Sequence, residues 1–129
     1  MKRFIALGLT SVVSAILGAA AVQGLHAQAK PKAYTVTEIQ VKDAAAIAIY
    51  APLVQAAIKS AGGRIFNTAG GKVAAIAGAT PPTRVAINEW DNLEQAQVFY
   101  KSKAWLDLAP QRDKAVNITR LYAVEALPK

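Results

Sequence analysis

At 129 residues the chain has room for a single domain, and 15 Lys and Arg against 8 Asp and Glu give it a formal charge of +7. It contains no cysteine, which excludes disulfides, thiolate metal sites and thiol-linked lipids. Its basic residues are scattered and without interleaved aromatics, so nucleic acid is not an expected partner.

The chain opens with Met1-Lys2-Arg3, followed by an apolar run from Phe4 to Val22 and a small-x-small triplet, Ala27-Gln28-Ala29. This order of basic, apolar and small-residue segments predicts a secretory signal peptide over 1–29. The mature domain is then 30–129, exported to the periplasm or beyond, with no expected membrane association. The apolar run is close to the roughly 20 residues a span needs, which leaves an uncleaved anchor as the alternative. Without Lys2 and Arg3 the mature chain keeps 13 basic and 8 acidic residues, a net charge of +5. About one hundred residues without disulfides make a marginal core, and dimerisation is the natural support.

Ala33 to Val41 alternates, with Tyr34, Val36 and Glu38 on one face and Thr35, Thr37 and Ile39 on the other, which predicts a strand. Asp43 is placed to cap a helix whose apolar positions are Ile47, Tyr50, Ala51, Val54, Ala57, Ile58 and Ala61. Pro52 falls inside that pattern and predicts a kink or a break. Gly62 or Gly63 ends the helix. Arg64 to Thr68 is the second predicted strand, Ala69-Gly70-Gly71 a turn, and Val73 to Gly78 a small extra strand. Arg84 to Trp90 is the next strand, with Val85, Ile87 and Glu89 opposite Ala86, Asn88 and Trp90. Asn92 and Gln95 form the two ends of a capping box for a helix over Leu93 to Lys101. A helical turn over Ala104 to Leu108 stops at Pro110, and Gln111 to Ala115 is a polar connection. Asn117 to Ala126 is the last strand, with Ile118, Arg120, Tyr122 and Val124 opposite Thr119, Leu121 and Ala123.

The order β-α-β-(β)-β-α-β predicts an α+β, ferredoxin-like sandwich: an antiparallel sheet with two helices on one face. Both faces of its strands are partly apolar. A sheet with one wet face should show a clear polar side. Helices cover one face, and a second copy packed sheet to sheet covers the other, so a homodimer is expected. Glu38, Asn67, Glu89 and Arg120 are polar positions in this arrangement, which implies either a hydrated pocket or paired charges.

An ordered set of residues also resembles a known family. Lys32-Ala33-Tyr34, Asp43, Tyr50, Gly62-Gly63-Arg64, Gly70-Gly71, Pro82-x-Arg84-Val85, Glu89 before an aromatic, Tyr100-x-Ser102 and Arg112 follow the pattern of the domain of unknown function 1330 family. The resemblance runs from Lys32 to about Ala126. It implies a subunit of the dimeric α+β barrel superfamily, in which two ferredoxin-like subunits pack sheet to sheet. The chain departs from the pattern at Ala77, where the family has Glu, at Lys103, where it has Pro, and at Trp90-Asp91, where Phe-Pro is commoner.

His26 is the only histidine and falls within the leader. The mature chain then has neither histidine nor cysteine, so no zinc site of the usual kind, no Ser-His or Cys-His nucleophile and no histidine-ligated haem is expected. No cofactor or metal is expected. Glu38 and Glu89 are candidates for a general base, or for ion pairs with Arg64, Arg84 or Arg120 that fix the strands. Arg64, Arg84 and Arg112 are candidates for holding a carboxylate ligand, or for salt bridges. Tyr50, Tyr100, Ser102 and Trp105 are candidate walls for a flat organic molecule, or core. The glycine pairs lack the Lys-Ser/Thr of a phosphate loop. Together these predict a protein that binds a small anionic or aromatic molecule through Tyr50, Arg64, Glu89, Tyr100, Ser102 and Arg112. A cofactor-independent oxygenase or isomerase and a purely structural or stress-associated dimer are the alternatives.

Overall fold

The structure, a computed structural model, describes residues 30–129. The expected signal peptide over 1–29 lies outside the described residues. The described residues form four strands and four helices. They are β1 (Ala33–Val41), α1 (Ala44–Ser60), β2 (Arg64–Phe66), β3 (Arg84–Trp90), α2 (Leu93–Lys101), α3 (Lys103–Leu106), α4 (Ala109–Ala115) and β4 (Val116–Glu125). The strands form one sheet in the order β2-β3-β1-β4, antiparallel throughout. This is the predicted α+β ferredoxin-like fold, with helices on one face.

Local chemistry places each element. The Asp43 carboxylate accepts from the amides of Ala45 (2.9 Å) and Ala46 (3.2 Å), which satisfies donors the first turn of α1 leaves free. Of the kink or break expected at Pro52, the break does not occur: the helix continues through it. Pro52 and Ala48, whose carbonyl loses its helical donor, both lie on the exposed side, where that carbonyl is open to solvent. At the far end Gly62 adopts φ 91°, a conformation side chains disfavour. Gly63 is needed for a different reason: a Cβ there would stand 2.6 Å from Ile58 Cγ2 and 3.0 Å from the Trp90 ring. The glycine pair thus lets the chain turn and lets β2 pass flush against the core.

Three expectations require correction. Val73 to Gly78 forms no strand; it is exposed loop, with Ile76 97% accessible. β2 pairs with β3, and no ladder among the described residues takes up the apolar segment. β2 itself ends at Phe66, because Thr68 folds back to donate its amide to the Phe66 carbonyl (2.8 Å) and its hydroxyl to the Val85 carbonyl (2.8 Å). The polar connection before β4 is helical: Pro110 opens α4 in its first turn, where a missing N–H costs nothing.

The last strand differs in its faces. Glu38 opposes Arg120 but Ile39 opposes Ile118, a register shift that leaves Thr119 as an extra residue. Such a bulge reverses side-chain parity. Arg120, Tyr122 and Val124 follow Glu38, Val36 and Tyr34 onto the open face. Ile118 instead turns under the helices and joins the core.

The core lies between sheet and helices. Ile58, Trp90, Ala96, Phe99 and Trp105 form one cluster, and Tyr50, Ala115 and Val116 a second. Trp90 is fully buried, and its indole N–H donates to Thr35 Oγ1 at 3.0 Å. Tyr100 donates to the same oxygen at 3.4 Å. The Phe99, Tyr100 and Trp105 rings meet edge to face, with centroids 4.8–4.9 Å apart across Tyr100.

Candidate functional site

A cavity of about 120 Å³ lies beneath α1 on the covered face of the sheet. Its floor comes from alternate residues of the strands: Thr37 and Ile39 of β1, and Arg84, Ala86 and Asn88 of β3. Its roof is Ile47, Tyr50, Val54 and Ile58 of α1, and Tyr100 and Trp105 close one end. The exposed side chains of Gln55 and Asn67 mark its open rim. The lining is mainly apolar and aromatic, with a few polar groups on the floor, which is the usual make-up of a small-molecule site.

Those polar groups are unusual in their bonding. Asn88 is 4% exposed, and its side-chain amide makes no hydrogen bond among the described residues. Thr37, 7% exposed, offers a second hydroxyl without a described partner. The polar atoms of both side chains keep accessible surface, unlike Glu38 Oε2 and Gln111 Oε1, which are enclosed without a hydrogen-bond partner. Arg84, half-buried in the wall, has no acidic partner among the described residues. Tyr50 is buried in the roof, and burial pushes its phenol above the ordinary range against the opposing effect of the Arg112 guanidinium.

The open face carries a different group of residues. Arg64 and Phe66 of β2, Val85, Ile87 and Glu89 of β3, Tyr34, Val36 and Glu38 of β1, and Arg120, Tyr122 and Val124 of β4 share it by register. Its acids are matched. Arg64 Nε donates to Glu89 Oε1, Tyr34 to Glu89 Oε2 at 2.9 Å, and Lys32 to Glu89 Oε1 at 3.4 Å. Arg64 also reaches Asp91, Nη1 to Oδ1, at 3.0 Å. Hydrogen bonds from Arg64, then Tyr34, hold the Glu89 carboxyl below the usual carboxylate range. A general base needs the opposite shift. Arg120 pairs with the buried Glu38, donating from Nη2 to Oε1 at 2.9 Å and placing Nε 2.8 Å from Oε2 as an ion pair without hydrogen-bond geometry.

The six residues read from the sequence as a ligand set therefore separate. Tyr50 and Tyr100 line the cavity. Arg64 and Glu89 pair with each other on the opposite side of the sheet. Ser102 is spent at the joint between α2 and α3: its hydroxyl donates to the Phe99 carbonyl at 2.6 Å and accepts from the Trp105 amide at 3.4 Å. Arg112 lies 4.0 Å over the Trp105 ring and donates to the Trp105 carbonyl at 3.1 Å, so it braces a cavity wall without lining it. Asn88 and Thr37 were not singled out in the sequence. Their signal was parity: Asn88 shares a strand face with Trp90, and a polar residue on a face destined for burial invites the question of its partner.

These features define an α+β ferredoxin-like chain with a cavity of about 120 Å³ on its covered face and ion pairs on its open one. The chain belongs to the family described as domain of unknown function (DUF1330), whose model matches residues 32–127. Among solved structures, a protein of unknown function from Rhodopseudomonas palustris is similar, with a TM-score of 0.61 at 14% identity over 84% of this chain and 93% of that one. Its methylated form matches with a TM-score of 0.61 at 15% identity, over 84% and 90%. A nipsnap family protein with unknown function from Agrobacterium tumefaciens gives a TM-score of 0.43 at 15% identity, over 77% and 90%. No curated protein matches the chain.

Proposed function

We propose that this chain is a small-molecule-binding protein that takes its ligand in the cavity under α1. The observation that carries the proposal is the buried Asn88 amide, aimed into a space of about 120 Å³ and without a described partner. An engineered apolar cavity of about 150 Å³ admits benzene, so this space suits a ring-sized group. The hydrogen bonds that hold the Glu89 carboxyl below the usual carboxylate range speak against Glu89 as the base of the oxygenase and isomerase alternatives. Native mass spectrometry of the purified protein tests the proposal. A small co-purifying molecule, absent from Asn88→Leu, supports it. An unliganded chain that also gains no thermal stability from a panel of small ring compounds opposes it.

The working form we propose is a homodimer joined through the open face. Phe66, Tyr122 and Val124 are 42%, 47% and 53% exposed there, beside acids that are already matched with arginines. Matched charges lower the cost of burying such a face. Light scattering at micromolar concentration should return twice the chain mass for the wild type and the single-chain mass for Tyr122→Lys; a wild-type monomer would rule this form out. Export follows from the Lys2-Arg3, Phe4 to Val22 and Ala27-Gln28-Ala29 pattern. The mature mass should show loss of about thirty residues, as that pattern implies; a full-length product would favour the anchored alternative.

A further inference from the structure

We propose that the ligand is a ring-bearing monocarboxylate, with its ring in the cavity, its carboxylate on Arg84 and a polar substituent on Asn88. This rests on the reading of the cavity as a ligand site. It goes further by naming the charge and the shape of the occupant.

The structure separates the arginines of the fold by what they already hold. Arg64 is engaged by Glu89 and Asp91, and Arg120 by Glu38. Arg112 is committed to the carbonyl and ring of Trp105. Arg84 lines the cavity, half-buried, with no acid beside it among the described residues. With no acid beside it, its guanidinium is available to an incoming carboxylate. Its planar fork suits two parallel bonds to a carboxylate.

The charge count selects the class of anion. One guanidinium in an apolar wall neutralises one negative charge. A phosphate monoester would bring close to two, with no second cation on the lining. The walls select the body of the ligand. Tyr50, Tyr100 and Trp105 offer ring surfaces, and the volume admits about one six-membered ring. Register selects the second polar contact. Arg84, Ala86 and Asn88 alternate on one strand face, so Arg84 and Asn88 stand at separate points along the same floor, with the small Ala86 between them. A ring carrying a carboxylate at one end and a hydroxyl or carbonyl toward the other spans that arrangement. Asn88, with donors and an acceptor in one amide, serves either substituent.

Calorimetry on the full chain, with benzoate, benzamide and inorganic phosphate as probes, tests the assignment. Benzoate should bind about tenfold more tightly than benzamide, the difference a charge-assisted pair supplies. Arg84→Gln should bring benzoate down to the benzamide level, and Arg84→Lys should keep part of the preference. Equal affinity for benzoate and benzamide, or an unchanged preference in Arg84→Gln, would overturn the monocarboxylate while leaving the cavity as a site for neutral rings. Phosphate binding more tightly than benzoate would also overturn it. Failure of both ring compounds to bind would remove this inference together with the cavity reading.

Discussion

The two faces of the sheet treat polar side chains in opposite ways. On the open face Glu38 is matched by Arg120, and Glu89 by Arg64, Tyr34 and Lys32. On the covered face Thr35 is matched by Trp90 and Tyr100, yet Asn88, Thr37 and Arg84 have no partner among the described residues. Burial alone does not explain this, since Glu38 is as buried as Thr37, at 6% against 7%. The unmatched groups share a location: all three line the one cavity beneath α1. Matched polar groups hold strands together. Unmatched ones, gathered on the lining of one cavity, are the observation on which the proposed binding role rests.

The largest effect should come from the residue that supports the covered face. Trp90→Ala removes a fully buried indole whose ring packs at 5.1 Å from that of Phe99. The loss should be about 3–5 kcal/mol, a large share of the stability of a domain this size. A urea midpoint close to wild type would mean that the aromatic cluster is not the core of this face.

A sharper contrast lies within the covered face. Thr35→Val leaves the Trp90 indole N–H and the Tyr100 hydroxyl without their acceptor, and should destabilise by about 1–3 kcal/mol. Asn88→Leu does the reverse. It replaces an unmatched amide with carbon and fills part of the cavity, and should stabilise by about 1 kcal/mol while abolishing ligand binding. A raised melting temperature with lost binding is the signature of a functional polar group. Equal losses of stability in the two variants would show that Asn88 has a structural partner after all.

The arginines extend the contrast across the sheet. Arg120→Ala strands the buried Glu38 carboxylate and should lower the melting temperature clearly. Arg84→Ala strands nothing and should leave the melting temperature within a degree or so of wild type, as is usual for changes that break no matched group. Comparable losses in both would mean that Arg84 supports the fold.

How much of this was legible depends on whether the information was local. Alternation located Ala33–Val41 and Arg84–Trp90, and the Asn92 cap located Leu93–Lys101, because strand period and cap chemistry act over a few residues. Val73 to Gly78 was apolar enough to resemble a strand, but a strand needs a neighbour, and neighbours are set by the whole fold. Pro110 had two local meanings, a stop or a helix start, and the sequence around it does not distinguish them. The bulge at Thr119 left no local mark either, yet it decides that Ile118 is core while Arg120 faces Glu38. Of the candidate site, the sequence brought forward Tyr50 and Tyr100, which line the cavity, because buried aromatics line cavities as readily as cores. Arg64 and Glu89 were grouped with them because strand residues on opposite faces look equivalent until register is known.

The finest test concerns Glu89 and pH. Its carboxyl is held below the ordinary 4.5, first by Arg64 and then by Tyr34. A depressed acid contributes stability that is fully present above the unfolded value and disappears as pH falls through the folded one. Wild type should therefore lose stability on acidification from about pH 4.5 downward, as such linkage requires. Glu89→Gln, with no carboxylate to protonate, should start lower at neutral pH and fall less steeply, so that the two melting temperatures converge in acid. Tyr34 gives an independent reading. Its hydroxyl donates to Glu89, and that bond raises its pKa above 10.0. In Glu89→Gln one tyrosine should titrate earlier in a spectrophotometric base titration. Parallel acid unfolding of the two proteins, with tyrosine titrations that superimpose, would mean that the open-face pairing does not operate in solution, and the contrast between the two faces would lose its matched half.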